Sequence, residues 1–326
     1  MRQDPFSHLV GHQTARRVLT HHLDRPLHGY LLVGLDGVGC HPMAEAFVRA
    51  LVGLDPSASL SSHPDIVLLE REFSDSGKTL KAEISVKRVR ELRMRMAQRP
   101  SIAPRVVAYL PDADHLNTEG VNALLTCIEE PVAGAVYVLV AHRESRLPGT
   151  LRSRLARIGL SRVSTAEIGS WLSTQGADER LNEAAVAFAE GRPGIARRYV
   201  KDAAYREEVR QAERIIDRIL TSHTPGEAFA VIADTASACD AAEDSVTEWR
   251  KTLQLWQSAL RRRFADHPFR AYGIAHALIQ TERNLGGPVS PRIWLELGLR
   301  RVSTDQTLVF PGLLAPAFPY PLELRG

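Results

Sequence analysis

The first half of the chain carries two rhythms of apolar and polar residues. Short runs at 30–33, 65–70, 105–110 and 136–140 are apolar almost throughout, and 156–160 is a shorter fifth. Between them the apolar residues recur every three or four positions. Ala15, Val18, Leu19 and Leu23 do so within 11–24, and Val86, Val89, Leu92 and Met96 within 85–98. Two more helical stretches run from a Gly-rich turn to about Leu51 and over 118–130, the latter stopped by Pro131. Unbroken apolar runs are what strands buried on both faces look like, and helical spacing between them marks crossovers. The first 160 or so residues therefore predict an α/β domain with a parallel sheet. After Ser164 the strand pattern ends. Three short helices are predicted at 166–175, 181–189 and 192–201, then longer amphipathic ones at 205–222, 225–239, 244–264 and 269–285.

Composition narrows the function classes only a little. A chain of 326 residues has room for two or three domains, and 44% hydrophobic with 24% charged residues is ordinary for a soluble globular protein. A net charge of +3, spread along the chain, permits contact with nucleic acid without arguing for it. Cys40, Cys127 and Cys239 lie far apart, so neither a zinc framework nor disulfides are expected, and a reducing cytoplasm is the expected location. The charged start, Met1 to Phe6, does not resemble a secretory signal. No apolar run approaches the roughly 20 residues of a membrane span.

The chemistry concentrates after the first strand, at Gly34-Leu35-Asp36-Gly37-Val38-Gly39-Cys40-His41. Strand, Gly-spaced turn and helix start form the setting in which backbone N–H groups cradle phosphate. Such a loop also needs a lysine for the β/γ-phosphates and a Ser or Thr for Mg²⁺. Cys40 and His41 hold those positions. A short thiol, mostly neutral near pH 7, and an imidazole, a poor ligand for a hard cation, supply neither function. In an active ATPase of this topology the third strand ends in an Asp for Mg²⁺ and a Glu that orients water. Here Pro111 and Asp112 stand there, so the metal carboxylate is missing as well.

An ordered set of short motifs spans about residues 6–160: Phe6, Val10-Gly11-His12, His28-Gly29-Tyr30-Leu31, His63-Pro64-Asp65, Asp112-Ala113-Asp114, Asn122-Ala123-Leu124-Leu125, Ile128-Glu129-Glu130-Pro131 and Leu151-Arg152-Ser153-Arg154. In this order they resemble the delta-prime subunits of bacterial replicative clamp loaders, within the AAA+ superfamily. The helical remainder matches in architecture only. By that resemblance Ser153 and Arg154 belong to the family's Ser-Arg-Cys motif, with Leu155 in place of the Cys. Arg154 is then an arginine finger inserted in trans toward a neighbouring subunit's ATP. The alternative for Arg152 and Arg154 is solvation or pairing with nearby carboxylates.

The resemblance also marks departures. Active members carry a small polar sensor where this chain has Ala141-His142. They carry an arginine where Gly194 stands in Gly191-Arg192-Pro193-Gly194-Ile195-Ala196, a departure common in delta-prime subunits. Many relatives hold zinc through four cysteines before the second strand. The segment 55–63 has none, and His63 alone cannot form that site, so no zinc is expected. Cys40 and His41 are adjacent, which is unsuitable geometry for a nucleophile and its base. Arg261-Arg262-Arg263 reads as a solvated or dipole-favouring helix end, and Trp249 and Trp256 as core or subunit contact. Gln306-Thr307-Leu308-Val309-Phe310 loosely resembles a clamp-binding peptide, with an ordinary apolar tail the preferred alternative.

The expected architecture is an AAA+ α/β domain over 1–163 with a parallel sheet and a degenerate nucleotide loop. A helical lid follows over 164–204, an all-α collar over 205–308, and a tail over 309–326 with prolines at 311, 316, 319 and 321. The resemblance implies a non-catalytic subunit that assembles with the gamma/tau ATPase subunits and delta, and through them meets the sliding clamp and primed DNA. Neither a cofactor, nor ATP hydrolysis, nor a membrane is expected. Two rivals stay open: an active ATPase with an unorthodox loop, and a stand-alone DNA-binding module. The first needs a substitute cation near the phosphates, and neither Arg16 nor Arg49 can be placed there from sequence.

Overall fold

The computed structural model describes residues 4–73, 81, 83–176 and 178–303. The expected tail over 309–326 and the segment 306–310 lie outside the described residues. Within them the chain divides between Arg206 and Glu207 into two compact units.

The first unit opens with helix α1 (Gln13–His21), followed by strand β1 (Gly29–Val33) and helix α2 (Cys40–Val52). Next come β2 (Ile66–Leu68), α3 (Val86–Met96), β3 (Val106–Leu110), α4 (Thr118–Glu129), β4 (Ala135–Ala141), α5 (Gly149–Arg152) and β5 (Ala156–Gly159). The five strands form one parallel sheet in the order β2-β3-β4-β1-β5. Alternate strand residues serve two cores. Tyr30, Leu32, Val107, Tyr109, Val138 and Val140 pack with Leu19 of α1 and Phe47 of α2. Leu31, Val33, Ala108, Leu110, Leu139 and Ala141 pack with Val89, Leu92 and Leu124 from α3 and α4. Burial on both faces is why β1, β3 and β4 are apolar at every position: each Leu or Val removed from water contributes about 1.5–3 kcal/mol.

Buried Asp65 secures the loop entering β3. Its carboxylate accepts from the backbone N–H groups of Ser101, Ile102 and Ala103 at 2.5, 2.8 and 2.8 Å. Burial opposes the charge, but these donors outweigh it and hold the pKa below the ordinary Asp value.

Helices α6 (Thr165–Thr174), α7 (Glu179–Ala189) and α8 (Pro193–Lys201) complete this unit around a small core of Val163, Ile168, Leu172, Ala185, Ala189 and Ala196. Ser164 and Asp178 cap α6 and α7 by accepting from Glu167 N and Leu181 N.

The second unit is helical. It comprises most of α9 (Ala203–Thr221), then α10 (Pro225–Ala241), α11 (Ser245–Arg263), α12 (Pro268–Arg283) and α13 (Pro291–Ser303). Trp249 and Trp256 are fully buried in its core, the first donating Nε1–H to Asp240 at 2.8 Å. Of the Arg261–Arg263 run, Arg262 pairs with Glu213 and Arg263 with Asp217. The sequence pattern did not predict α13. No helix among the described residues is long and apolar enough to cross a membrane.

Candidate functional site

The Gly-rich loop leaves β1 at Gly34 and enters α2 at Cys40. Gly37 and Gly39 have φ of 81° and 118°, which favours glycine at both. The loop's carbonyls are taken up by its own chain. His12 Nε2–H donates to Val38 O at 2.8 Å, and Gly194 N–H at the start of α8 donates to Gly37 O at 2.8 Å. A Cβ on Gly37 would stand 2.6 Å from Ile195 Cγ1, so α8 lies directly against the loop. Gly194, which occupies the expected sensor-arginine position, thus touches the loop through its backbone. Cys40 is buried. Burial, helped by the Asp36 carboxylate, pushes its thiol up to about 12, far from the thiolate range at neutral pH.

His41 is turned into the protein. Its Nε2 lies 2.9 Å from Nε2 of His142, and His142 Nδ1 lies 3.0 Å from Gly34 O. A carbonyl only accepts, so His142 carries its proton on Nδ1 and, when neutral, accepts at Nε2. His41 therefore donates from Nε2, leaving Nδ1 to face the Tyr109 hydroxyl at 3.5 Å. Burial lowers the His41 pKa, with His142 adding to the shift, against the opposing pull of Asp112, Asp36 and Glu45. The two imidazoles bond to each other. Parallel pairing explains the meeting of residues so distant in sequence: Val33 is in register with Ala141, which brings Gly34 beside His142.

At the end of β3, Asp112 Oδ2 lies 3.4 Å from Arg71 Nε, and Asp114 accepts from Arg143 N at 3.0 Å. Pro111 offers no carboxylate. The cations considered as substitutes are already paired: Arg16 with Asp4 at 2.6 Å and Arg49 with Glu45 at 3.1 Å.

Arg154 sits at the other end of the sheet. Its carbonyl accepts from His28 Nε2 at 2.9 Å, and His28 precedes β1 whereas Gly34 follows it. Five extended residues span about 17 Å, so Arg154 stands at the end of β1 opposite the loop of its own chain. Arg154 Nη1 donates to Thr150 O at 2.7 Å, and Nη2 pairs with Glu129 Oε1 at 2.8 Å. Ser153 closes α5 by donating Oγ–H to Thr150 O at 3.0 Å, and Leu155 is buried. Arg152 lies 3.7 Å from Glu144, which also accepts from Arg157 Nε and Nη2, each at 2.9 Å. Both arginines of the motif are thus paired with carboxylates in the single chain. In the sequence, Glu129 stands within a motif without a role of its own, and His41 and His142 read as separate departures. Only strand order joins the two histidines.

Residues 12–164 match the family model described as DNA polymerase III, delta subunit. A DNA polymerase III subunit delta-prime of Pseudomonas aeruginosa is 30% identical over 186 residues, 52% of this chain and 55% of the relative. Its Escherichia coli counterpart is 28% identical over 195 residues, 55% of this chain and 56% of the relative. The chain thus spans little more than half the length of these curated relatives. A DNA polymerase III gamma subunit-related protein of Thermotoga maritima superposes with a TM-score of 0.52 at 14% identity, over 88% of this chain and 98% of that one. A point variant of RuvB from the same organism gives 0.50 at 14% identity, over 80% of this chain and 90% of that one. These likenesses show the fold, which is AAA+-like with a parallel five-stranded sheet and a large helical C-terminal portion. The resemblance to delta-prime subunits is shown over the α/β part of the chain.

Proposed function

We propose that this chain is a non-catalytic, delta-prime-like subunit of a replicative clamp loader, with the nucleotide loop kept as scaffold and Arg154 supplied to a neighbour. One observation carries this reading: His41, at the position where a hydroxyl would hold Mg²⁺, is bonded to His142, at the sensor position. Cys40, buried and neutral, supplies no phosphate clamp, and Pro111 supplies no metal carboxylate. On this reading it takes no zinc and hydrolyses no ATP.

The placement of Arg154 at the far end of β1 supports action in trans. A guanidinium stays charged and forks onto phosphate oxygens, and such fingers accelerate phosphoryl transfer by roughly 10³–10⁵. The proposed division of labour is an α/β body over 1–163, a lid over 164–204 and a collar over 205–308 that oligomerises with gamma/tau and delta. The assembly loads a sliding clamp onto primed DNA.

Reconstitution tests this. The chain is mixed with clamp, clamp-loader ATPase and delta, then assayed for assembly and clamp loading. A complex that forms and loads only with the chain present supports the proposal. An Arg154→Ala chain should still assemble but lower the ATPase of the complex; undiminished ATPase removes the finger role.

A further inference from the structure

Arg154 already has a carboxylate partner within its own chain. Its Nη2 stands 2.8 Å from Glu129 Oε1, while Nη1 donates to Thr150 O and His28 holds the Arg154 carbonyl. The contacts come from three places: the last residue of α4, the interior of α5 and the residue before β1. They fix both the backbone and the tip of one long side chain.

We infer that Glu129 is a positioning residue for Arg154: its charge orients the guanidinium toward the surface where a neighbour's nucleotide phosphate docks. This rests on Arg154 being the finger proposed above. The Glu129 and Arg154 side chains are 46% and 39% exposed, and pairs so open to water add little to folding stability. Orientation is what such a pair can supply. An unanchored arginine samples many rotamers, and a phosphate must select one of them at its own expense in affinity or rate. Thr150 O and Glu129 Oε1 engage Nη1 and Nη2 once each, so three of the five N–H donors stay available to phosphate oxygens. A guanidinium held in advance stabilises charge developing in the transition state, so its loss appears in kcat.

The test is steady-state ATPase of the complex reconstituted from the full chain, the clamp-loader ATPase subunits and delta, with clamp and primed DNA, over a range of ATP concentrations. Glu129→Gln keeps the size and removes the charge. It should lower kcat about two- to threefold, leave KM unchanged and leave assembly intact. Added to Arg154→Ala, it should have no further effect. An unchanged or raised kcat, failure to assemble, or the same loss in the Arg154→Ala background overturns the role of Glu129 while leaving Arg154 in place. If Arg154→Ala in an intact complex leaves ATPase untouched, the finger reading fails and this inference fails with it.

Discussion

His41 Nε2 and His142 Nε2 lie 2.9 Å apart, tying the first turn of α2 to the end of β4 across the mouth of the loop. With His142 Nδ1 committed to Gly34 O, the bond holds only while His142 is neutral, whereas a proton on His41 would enter at the buried Nδ1 that faces Tyr109. A proton added to His142 would set two N–H groups against each other.

Stability should therefore depend on pH through this pair. The unfolded chain protonates His41 near pH 6.5, whereas burial and His142 lower the folded value. The contribution is complete above about pH 6.5 and is lost as pH falls from there toward the lowered folded pKa, at up to about 1.4 kcal/mol per pH unit. Urea unfolding at pH 7.5, 6.5 and 5.5 should show this decline. It should be smaller in a His41→Asn/His142→Asn variant, which keeps the remaining histidines.

The contact of α8 with the loop can be isolated by comparing two glycines in the left-handed region. Gly53, at the end of α2, has φ of 75° and nothing within 4 Å of an added Cβ. Gly37 has φ of 81° and Ile195 Cγ1 at 2.6 Å. Gly53→Ala should cost about 1 kcal/mol from backbone strain alone. Gly37→Ala should cost about 2–3 kcal/mol because Ile195 must also move. Equal losses in chemical denaturation would mean that the Ile195 contact is not held in solution.

Much of the α/β part was legible because strands buried on both faces announce themselves as unbroken apolar runs, and 136–140 became Ala135–Ala141; the run 156–160 became Ala156–Gly159 although Arg157 and Gly159 are exposed. The four-residue α5 is too short to show a period. Helix α13 was hidden by its own composition, for Gly298 interrupts the pattern in mid-helix. Its purpose is tertiary: an added Cβ there would lie 2.4 Å from Ala277 Cβ, so α12 and α13 approach where a side chain would keep them apart. Among the site residues, the missing lysine and carboxylate could be read from Cys40 and Pro111. The histidine pair could not, and for Arg154 a carboxylate partner was an open alternative without Glu129 being singled out. Each joins residues from separate elements, and neither leaves a local signature.

Gly298→Ala sets these two effects against each other. Helix propensity favours alanine by about 1 kcal/mol, whereas crowding against Ala277 costs about 1–3 kcal/mol. We expect a net loss of about 1 kcal/mol, seen as a lower Tm. A higher Tm would mean that the close α12–α13 approach is not required.

A phosphate-loop fold that has lost the groups that fire it should not turn over nucleotide. The isolated chain given Mg·ATP is expected to release phosphate no faster than a buffer blank at any chain concentration. Sustained turnover that rises in proportion to the chain, and survives repurification, would mark it as an active ATPase.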